Sequence, residues 1–474
     1  MTALKYSSLV LDLGGVLLNT PKVPVDLSPR KVKDALDMPT WHEYETGKLP
    51  QHECYDRVAK TFGLDVQVWA ETMLKLTVGQ EPNTELIAAI RELKSVYPGL
   101  RVICLSNIPE PAFELLRELI EGWGIMDQVH VSAISGFRKP NTAAFRDFLS
   151  STHNTSESCI FVDDRIENVI SAQCLGFQAL LFQNTVSTVA AIHNLLGDPV
   201  ARGMTYLKQH AGNLFSMTDD GQVHKDNFSQ LLILQNTGDK SLVSLEKRGH
   251  TWNYFIGEPR LYGTTYANDS DTTCLALTIL DDVPEEEKAY AMNAILANLS
   301  PDGLPYTWFD DKRPRLCHCI CANVYRFFHL QGQAGQLPGV YEHLCRILRT
   351  GAFALGSRYY ANPDWFLYTL SDLCGRRPLD TALQEMRELL GARIQDRMGG
   401  DDDVLGAALR LLSAQSLAVK NQRDLTTVRD AQQLDGGWEM VWLWQTARGA
   451  IKMGSRGVIT AMAVRGIQNA ESML

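Results

Sequence analysis

The chain predicts two domains: an α/β half built on a parallel sheet with a small helical cap, then an all-α half. Three observations carry this expectation. At 474 residues the chain is longer than one hydrophobic core usually serves. Its first half alternates short apolar runs with helical patterns, as buried parallel strands do. Its second half lacks convincing strand-like runs, and apolar residues recur there every three or four positions.

The strand candidates of the first half are "SLVLDLGGVLL", "RVICLSN", "QVHVSAI", "CIFVDD" and "QALLF". A helical, polar-faced insertion at about residues 20–95 is too long for one crossover and reads as the cap. The boundary falls near residue 200, giving domains 1–200 and 201–474. Helices of the second half follow from "EEKAYAMNAILANL", "GVYEHLCRILRTGA", "TALQEMRELLGARI", "VLGAALRLLSAQS" and "VITAMAVRGIQNA", separated by Gly, Pro and Asp turns. No fixed-length repeat marks a solenoid.

Composition narrows the function. Hydrophobic content of 45% and charged content of 21% describe a soluble globular protein. A net charge of −10 argues against nucleic acid or an anionic membrane as the main partner. No run reaches the ~18 apolar residues of a membrane span, and the N-terminus lacks a secretory pattern. The 10 cysteines are scattered, which reads as reduced thiols in a cytoplasmic protein. One cluster, Cys317, Cys319 and Cys321 in "CHCIC", fits neither a zinc knuckle nor a secreted framework.

Four segments of the α/β half converge on phosphoryl chemistry. The first strand ends in Asp12 and glycines, the second in Ser106 and Asn107. "GFRKPNTAAF" supplies Lys139, and a later strand ends in Asp163 and Asp164. In a parallel sheet these carboxyl ends face one crevice. The crevice would hold a nucleophilic carboxylate, a hydroxyl and lysine for phosphate oxygens, and two acids for Mg²⁺. In order, these segments resemble the haloacid dehalogenase (HAD)-like phosphatases, over roughly residues 5–190, and "TWHEYETGKLPQHECYDRVAKTFGL" resembles their small cap. One departure stands out. The second aspartate that usually protonates the leaving group is Gly14 here. By resemblance the metal takes only a backbone carbonyl at that position, so its binding survives while leaving-group protonation suffers. Loss of phosphate from a diphosphate is then easier than the last step to a free alcohol, whose alkoxide needs a proton.

"DSDTT", residues 269–273, places acids at the mouth of the apolar run Cys274–Leu280. An unpaired buried charge is costly. Two readings are open: a helix N-cap, or a carboxylic acid kept neutral beside an apolar cavity. In the second, Asp271 donates a proton to an alkene, Asp269 orients it, and Thr272 and Thr273 support both. This motif in its all-α setting resembles class II terpene cyclases, an α/α-barrel fold, and "AQQLDGGWEMVWLW" resembles their Gln…Gly-Trp motif. Trp308, Trp365, Trp438, Trp442 and Trp444 are candidates to stabilise a carbocation or are simply core. Lys452 and Arg456 either bind a diphosphate or lie on a solvated face.

A HAD-like half followed by a DxDTT α-domain resembles the HAD-like terpene cyclases that make drimane sesquiterpenes. In that family "DDRIE" is also a diphosphate–magnesium motif, which adds Glu167 to Asp12, Gly14, Asp163 and Asp164 as metal positions. The resemblance implies a bifunctional enzyme. Farnesyl diphosphate is cyclised to an albicanyl or drimenyl diphosphate, then dephosphorylated with Mg²⁺. The alternatives are a cyclase that releases the diphosphate, and a small-molecule phosphatase carrying a helical binding module. The terminating base is not legible, and a homo-oligomer is compatible with the sequence.

Overall fold

The computed structural model describes residues 5–19, 27–400, 403–446 and 451–473. Two compact units emerge, Met1–Leu196 and Gly197–Leu474.

All five expected strands of the first unit form: β1 (Ser8–Leu11), β2 (Arg101–Ser106), β3 (Gln128–Val131), β4 (Cys159–Asp163) and β5 (Gln178–Leu181). They pair in parallel in the order β3-β2-β1-β4-β5. Alternate side chains serve opposite faces. Leu9 and Leu11 join one core with Leu86 and Ile90, whereas Val10 joins another with Phe145 and Phe148. Strand order reverses at β1, so the carboxyl ends of β1, β2 and β4 open onto a topological switch point.

Helices α1 (Pro29–Leu36), α2 (Pro39–Glu45), α3 (Gln51–Phe62) and α4 (Val66–Val78) form the cap. Ser28 and Asp65 cap α1 and α4, and prolines open α1 and α2, as free first-turn N–H groups favour. Trp41, Tyr44, Val58 and Trp69 give the cap its own core. The next helix, α5 (Thr84–Val96), was expected to belong to the cap but does not. Its stripe of Leu86, Ile87, Ile90 and Leu93 packs with the sheet, so the insertion ends at Val78 rather than near 95.

In the second unit six helices close a ring: α6 (Asn227–Thr237), α7 (Ser270–Ile279), α8 (His318–Leu330), α9 (Asp364–Arg376), α10 (Val404–Ser416) and α11 (Arg456–Ser472). Each packs on the next, and α11 returns to α6. Ring helices are buried on nearly all sides, as helices that are apolar around most of their circumference must be. An outer layer covers them: Pro199–Gln209 on α11, Glu285–Leu296 on α7, Pro338–Thr350 on α8, Gln384–Arg397 on α9 and α10, Gln422–Asp430 on α10 and α11. This is an α/α barrel.

The unit is not free of strands, contrary to the sequence reading. β6 (Ser216–Thr218), β7 (Val223–His224), β8 (Trp442–Gln445) and β9 (Lys452–Gly454) make an antiparallel sheet ordered β8-β9-β6-β7. Strands of two to four residues are too short to display an alternating pattern. No helix among the described residues is long and apolar enough to cross a membrane.

Candidate active sites

At the switch point of the first unit, Asp12, Asp163 and Asp164 bring carboxylate oxygens within 4.8 Å of one another. Lys139 enters beneath them. Its Nζ lies 3.0 Å from Asp12 Oδ1 and donates to Asp163 Oδ2 at 2.6 Å and Leu105 O at 2.7 Å. Burial works against the lysine's charge, but Asp12 and Asp163 outweigh it and raise its pKa. Burial pushes Asp12 up to about 7, opposed by Lys139 and reinforced by Asp163. Asp164 is also raised, first by burial and then by Asp163. Three crowded oxygen donors with one cation between them suit a hard divalent ion.

Neighbouring residues hold this cluster in shape. Asn107 exchanges two hydrogen bonds of 2.8 Å with the backbone of Lys139, which makes it a clamp on the lysine. Asp163 Oδ1 accepts from Arg165 N and Asn168 Nδ2, both at 2.9 Å. Gly15 has φ +77° and a Cβ there would overlap the Asp164 carboxylate, so only glycine lets the loop pass. Glu167 does not join the cluster. It turns to Arg165 Nε at 2.9 Å and its side chain is 44% exposed. A cleft of about 640 Å³ adjoins Gly14, Ser106 and Asn107 and is lined further out by Trp41, Tyr44, Tyr55 and Leu74 of the cap and Leu115.

In the second unit the two readings of DSDTT divide between its residues. Asp269 is the N-cap of α7, its Oδ1 accepting from Thr272 N at 2.6 Å. Asp271 sits in the first turn and is only 8% exposed. Asp271 Oδ1 accepts from Asn323 Nδ2 at 2.7 Å, and Oδ2 accepts from the Tyr360 hydroxyl. Arg326 donates to Asn323 Oδ1 at 2.7 Å and to Asp372 Oδ2 at 2.9 Å. That bond fixes the amide, so its NH₂ must face Asp271. Oδ1 therefore faces an obligatory donor, and a proton on this carboxyl resides on Oδ2, whose other neighbour is a hydroxyl that can also accept.

Burial raises the pKa of Asp271 against the pull of Tyr360 and Asn323. It pushes Asp269 up to about 7. The second oxygen of Asp269 has no hydrogen-bond partner among the described residues. Both acids face a hollow lined by Phe228, Tyr254, Tyr266, Trp308, Tyr359 and Trp444. Here the hollow is narrow, about 40 Å³, against the roughly 300 Å³ or more of small-molecule pockets; the rings must part to admit a ligand.

Other candidates scatter. Thr272 borders the hollow, whereas Thr273 Oγ1 is spent on Trp252 N at 2.9 Å. Trp308 and Trp444 line the hollow, and Trp365 lines a second one that also borders Asp271. Trp438 is core, bonded to Val428 O at 2.7 Å, and Trp442 is 39% exposed. Arg456 pairs with Asp435 at 2.9 Å and donates to Trp438 O at 2.8 Å, while Lys452 is exposed on β9. Neither lines the hollow. The cluster Cys317, Cys319 and Cys321 is buried, with Cys317 bonded to Ser357, and joins no metal-binding group among the described residues. Sequence reasoning missed Tyr360, Asn323 and Arg326. The signal for the last two was two polar residues, three apart, inside an otherwise apolar helix.

Comparison with known proteins places these two sites in context. Residues 200–331 match the model of the sesquiterpene cyclase astC-like C-terminal domain. Drimenol cyclase drtB of Aspergillus calidoustus is 33% identical over 97% of this chain and 87% of its own length. Sesquiterpene phosphatase astK of Aspergillus oryzae is 31% identical over 40% of this chain and 97% of its own. A solved type II terpene cyclase, MstE from Scytonema, is 12% identical and covers 58% of this chain and 98% of its own, with a TM-score of 0.44. The two curated relatives and the matching domain model define an enzyme of terpene metabolism that joins a phosphatase-like half to a cyclase-like one. The chain belongs to the HAD-like drimane terpene cyclase family that includes drtB.

Proposed function

We propose that this enzyme cyclises farnesyl diphosphate to a bicyclic drimane-type diphosphate and then removes phosphate to give the alcohol. The observation that carries the first step is Asp271: a buried carboxyl, fixed by Asn323 and Tyr360, facing an aromatic hollow. Its Oδ2 proton passes to the distal alkene, and the O–H electron pair stays on the carboxylate. Two ring closures follow, and loss of a proton from the bicyclic cation gives an albicanyl or drimenyl skeleton. Tyr254, Tyr266, Trp308 and Trp444 offer ring faces to the cation, each contributing up to ~2 kcal/mol when dry.

In the other unit Asp12 attacks phosphorus, displacing the leaving group and forming an aspartyl phosphate that water then hydrolyses. Lys139 offsets the charge on Asp12 and Asp163, and Asn107 holds Lys139 in place. Ser106, at the end of β2, borders the phosphate side of the cleft. Mg²⁺ suits Asp12, Asp163 and Asp164, and when bound it neutralises phosphate charge. Gly14 favours a second reading, in which diphosphate is released unhydrolysed or trimmed only to the monophosphate.

Incubation with farnesyl diphosphate, with products analysed before and after added phosphatase, tests the proposal. A free bicyclic alcohol before treatment is the expected result; bicyclic diphosphate alone overturns the second step. Asp271→Asn should lower cyclisation at least a hundredfold and leave phosphate release intact. Asp12→Asn should do the reverse.

A further inference from the structure

We infer that a second hollow, which shares Asp271 with the aromatic one, binds the water that returns a proton to this carboxyl after each turnover. The inference rests on the reading of Asp271 as the acid. Phe228, Asp271 and Tyr360 border both hollows, so the acid stands in the partition between them. The aromatic side is where the hydrocarbon lies during reaction. It excludes water there, and a proton must come from the other hollow.

The second hollow is built to hold water. Three residues lining it carry four buried polar atoms with no hydrogen-bond partner among the described residues: Gln235 Oε1 and Nε2, Arg326 Nε and Trp365 Nε1. Buried polar groups without partners are rare in native proteins, and ordered water is the usual remedy. The free volume, about 20 Å³, is room for about one water.

Their chemistry also orients that water. The N–H groups of Arg326 and Trp365 donate to its two lone pairs, so both of its hydrogens must point at acceptors. Gln235 Oε1 takes one. The other faces the partition, where the Tyr360 hydroxyl is bonded to Asp271 Oδ2. The nearby guanidinium makes the water a better acid.

The proton balance closes. When Asp271 has given its Oδ2 proton to carbon, the water gives one to Tyr360 as Tyr360 gives its own to Asp271. In the same movement the water takes a proton from solvent on the side of Gln235 and Thr369, the part-buried members of the lining, so no hydroxide is left behind. Cyclisation is an isomerisation, and its final deprotonation releases the proton that solvent supplied.

Rapid-quench kinetics on the full-length enzyme with farnesyl diphosphate, counting all bicyclic products whether or not phosphate has left, tests this. Gln235→Leu and the gentler Trp365→Phe should complete a first turnover at the wild-type rate, using the resident proton. Later turnovers should be at least tenfold slower, giving a burst of about one product per enzyme that the wild type lacks. First and later turnovers slowed equally in both variants, or neither slowed, overturns the inference. Cyclisation surviving in Asp271→Asn would instead overturn the acid assignment beneath it.

Discussion

Single residues set the chemistry of both centres, and Gly14 is the plainest case. No atom lies within 4 Å of where its Cβ would stand, and its φ is not in the left-handed region. Gly14→Asp therefore fits and supplies the missing proton donor. Hydrolysis of farnesyl monophosphate should rise by tenfold or more, measured as phosphate release at saturating substrate. Asp269 carries a pH prediction. Its folded pKa of about 7 exceeds the ordinary 3.8, so between those values the folded state binds more protons than the unfolded one. Stability is then full below pH 4 as far as this group goes, and is lost as pH rises toward 7. Melting temperature should fall from pH 5 to 7.5, and Asp269→Asn, which keeps the cap, should flatten the fall. The two acids were legible because carboxylates at the mouth of an apolar run need a reason. Tyr360 was not, because it lies 89 positions further along the chain and meets Asp271 only when that chain folds.

At the scale of elements, the barrel shows what sequence pattern conveys and what it hides. Two ring helices, α10 and α11, and three helices of the outer layer announced themselves by apolar periodicity, whereas β6 to β9 are too short to carry any, and the sheet depends on partners distant in the chain. Helix α10 holds another hidden feature. Arg410, 1% exposed, reaches Asp424 at 2.7 Å and Asp364 at 3.1 Å from within a wholly buried stretch. Removing one partner of such a network leaves uncompensated charge. Arg410→Met should destabilise the protein by about 3–5 kcal/mol in chemical denaturation. The same reasoning separates α5 from the cap: its sequence spacing marked a helix, but only the packed sheet reveals which core owns its apolar stripe.

Considered whole, the chain carries two chemistries with different requirements. Removal of divalent ions by a chelator should stop phosphate release, and return of Mg²⁺ should restore it, measured as free phosphate against time. Asp164→Asn should raise the Mg²⁺ concentration needed for that recovery. Each half was recognisable because its motifs sit in order at strand or helix ends, and the haloacid dehalogenase segments are local in sequence. Residue roles were less legible: Glu167 and Arg456 have suitable charge but pair with other side chains, and Lys452 is exposed and does not line the hollow. The separate cores of Met1–Leu196 and Gly197–Leu474 have an evolutionary consequence. A compact module that buries its own apolar surface can be inherited, lost or recombined as a unit. Exchanging the barrel for one that folds another isoprenoid would then yield a new terpene alcohol from an unchanged hydrolytic partner.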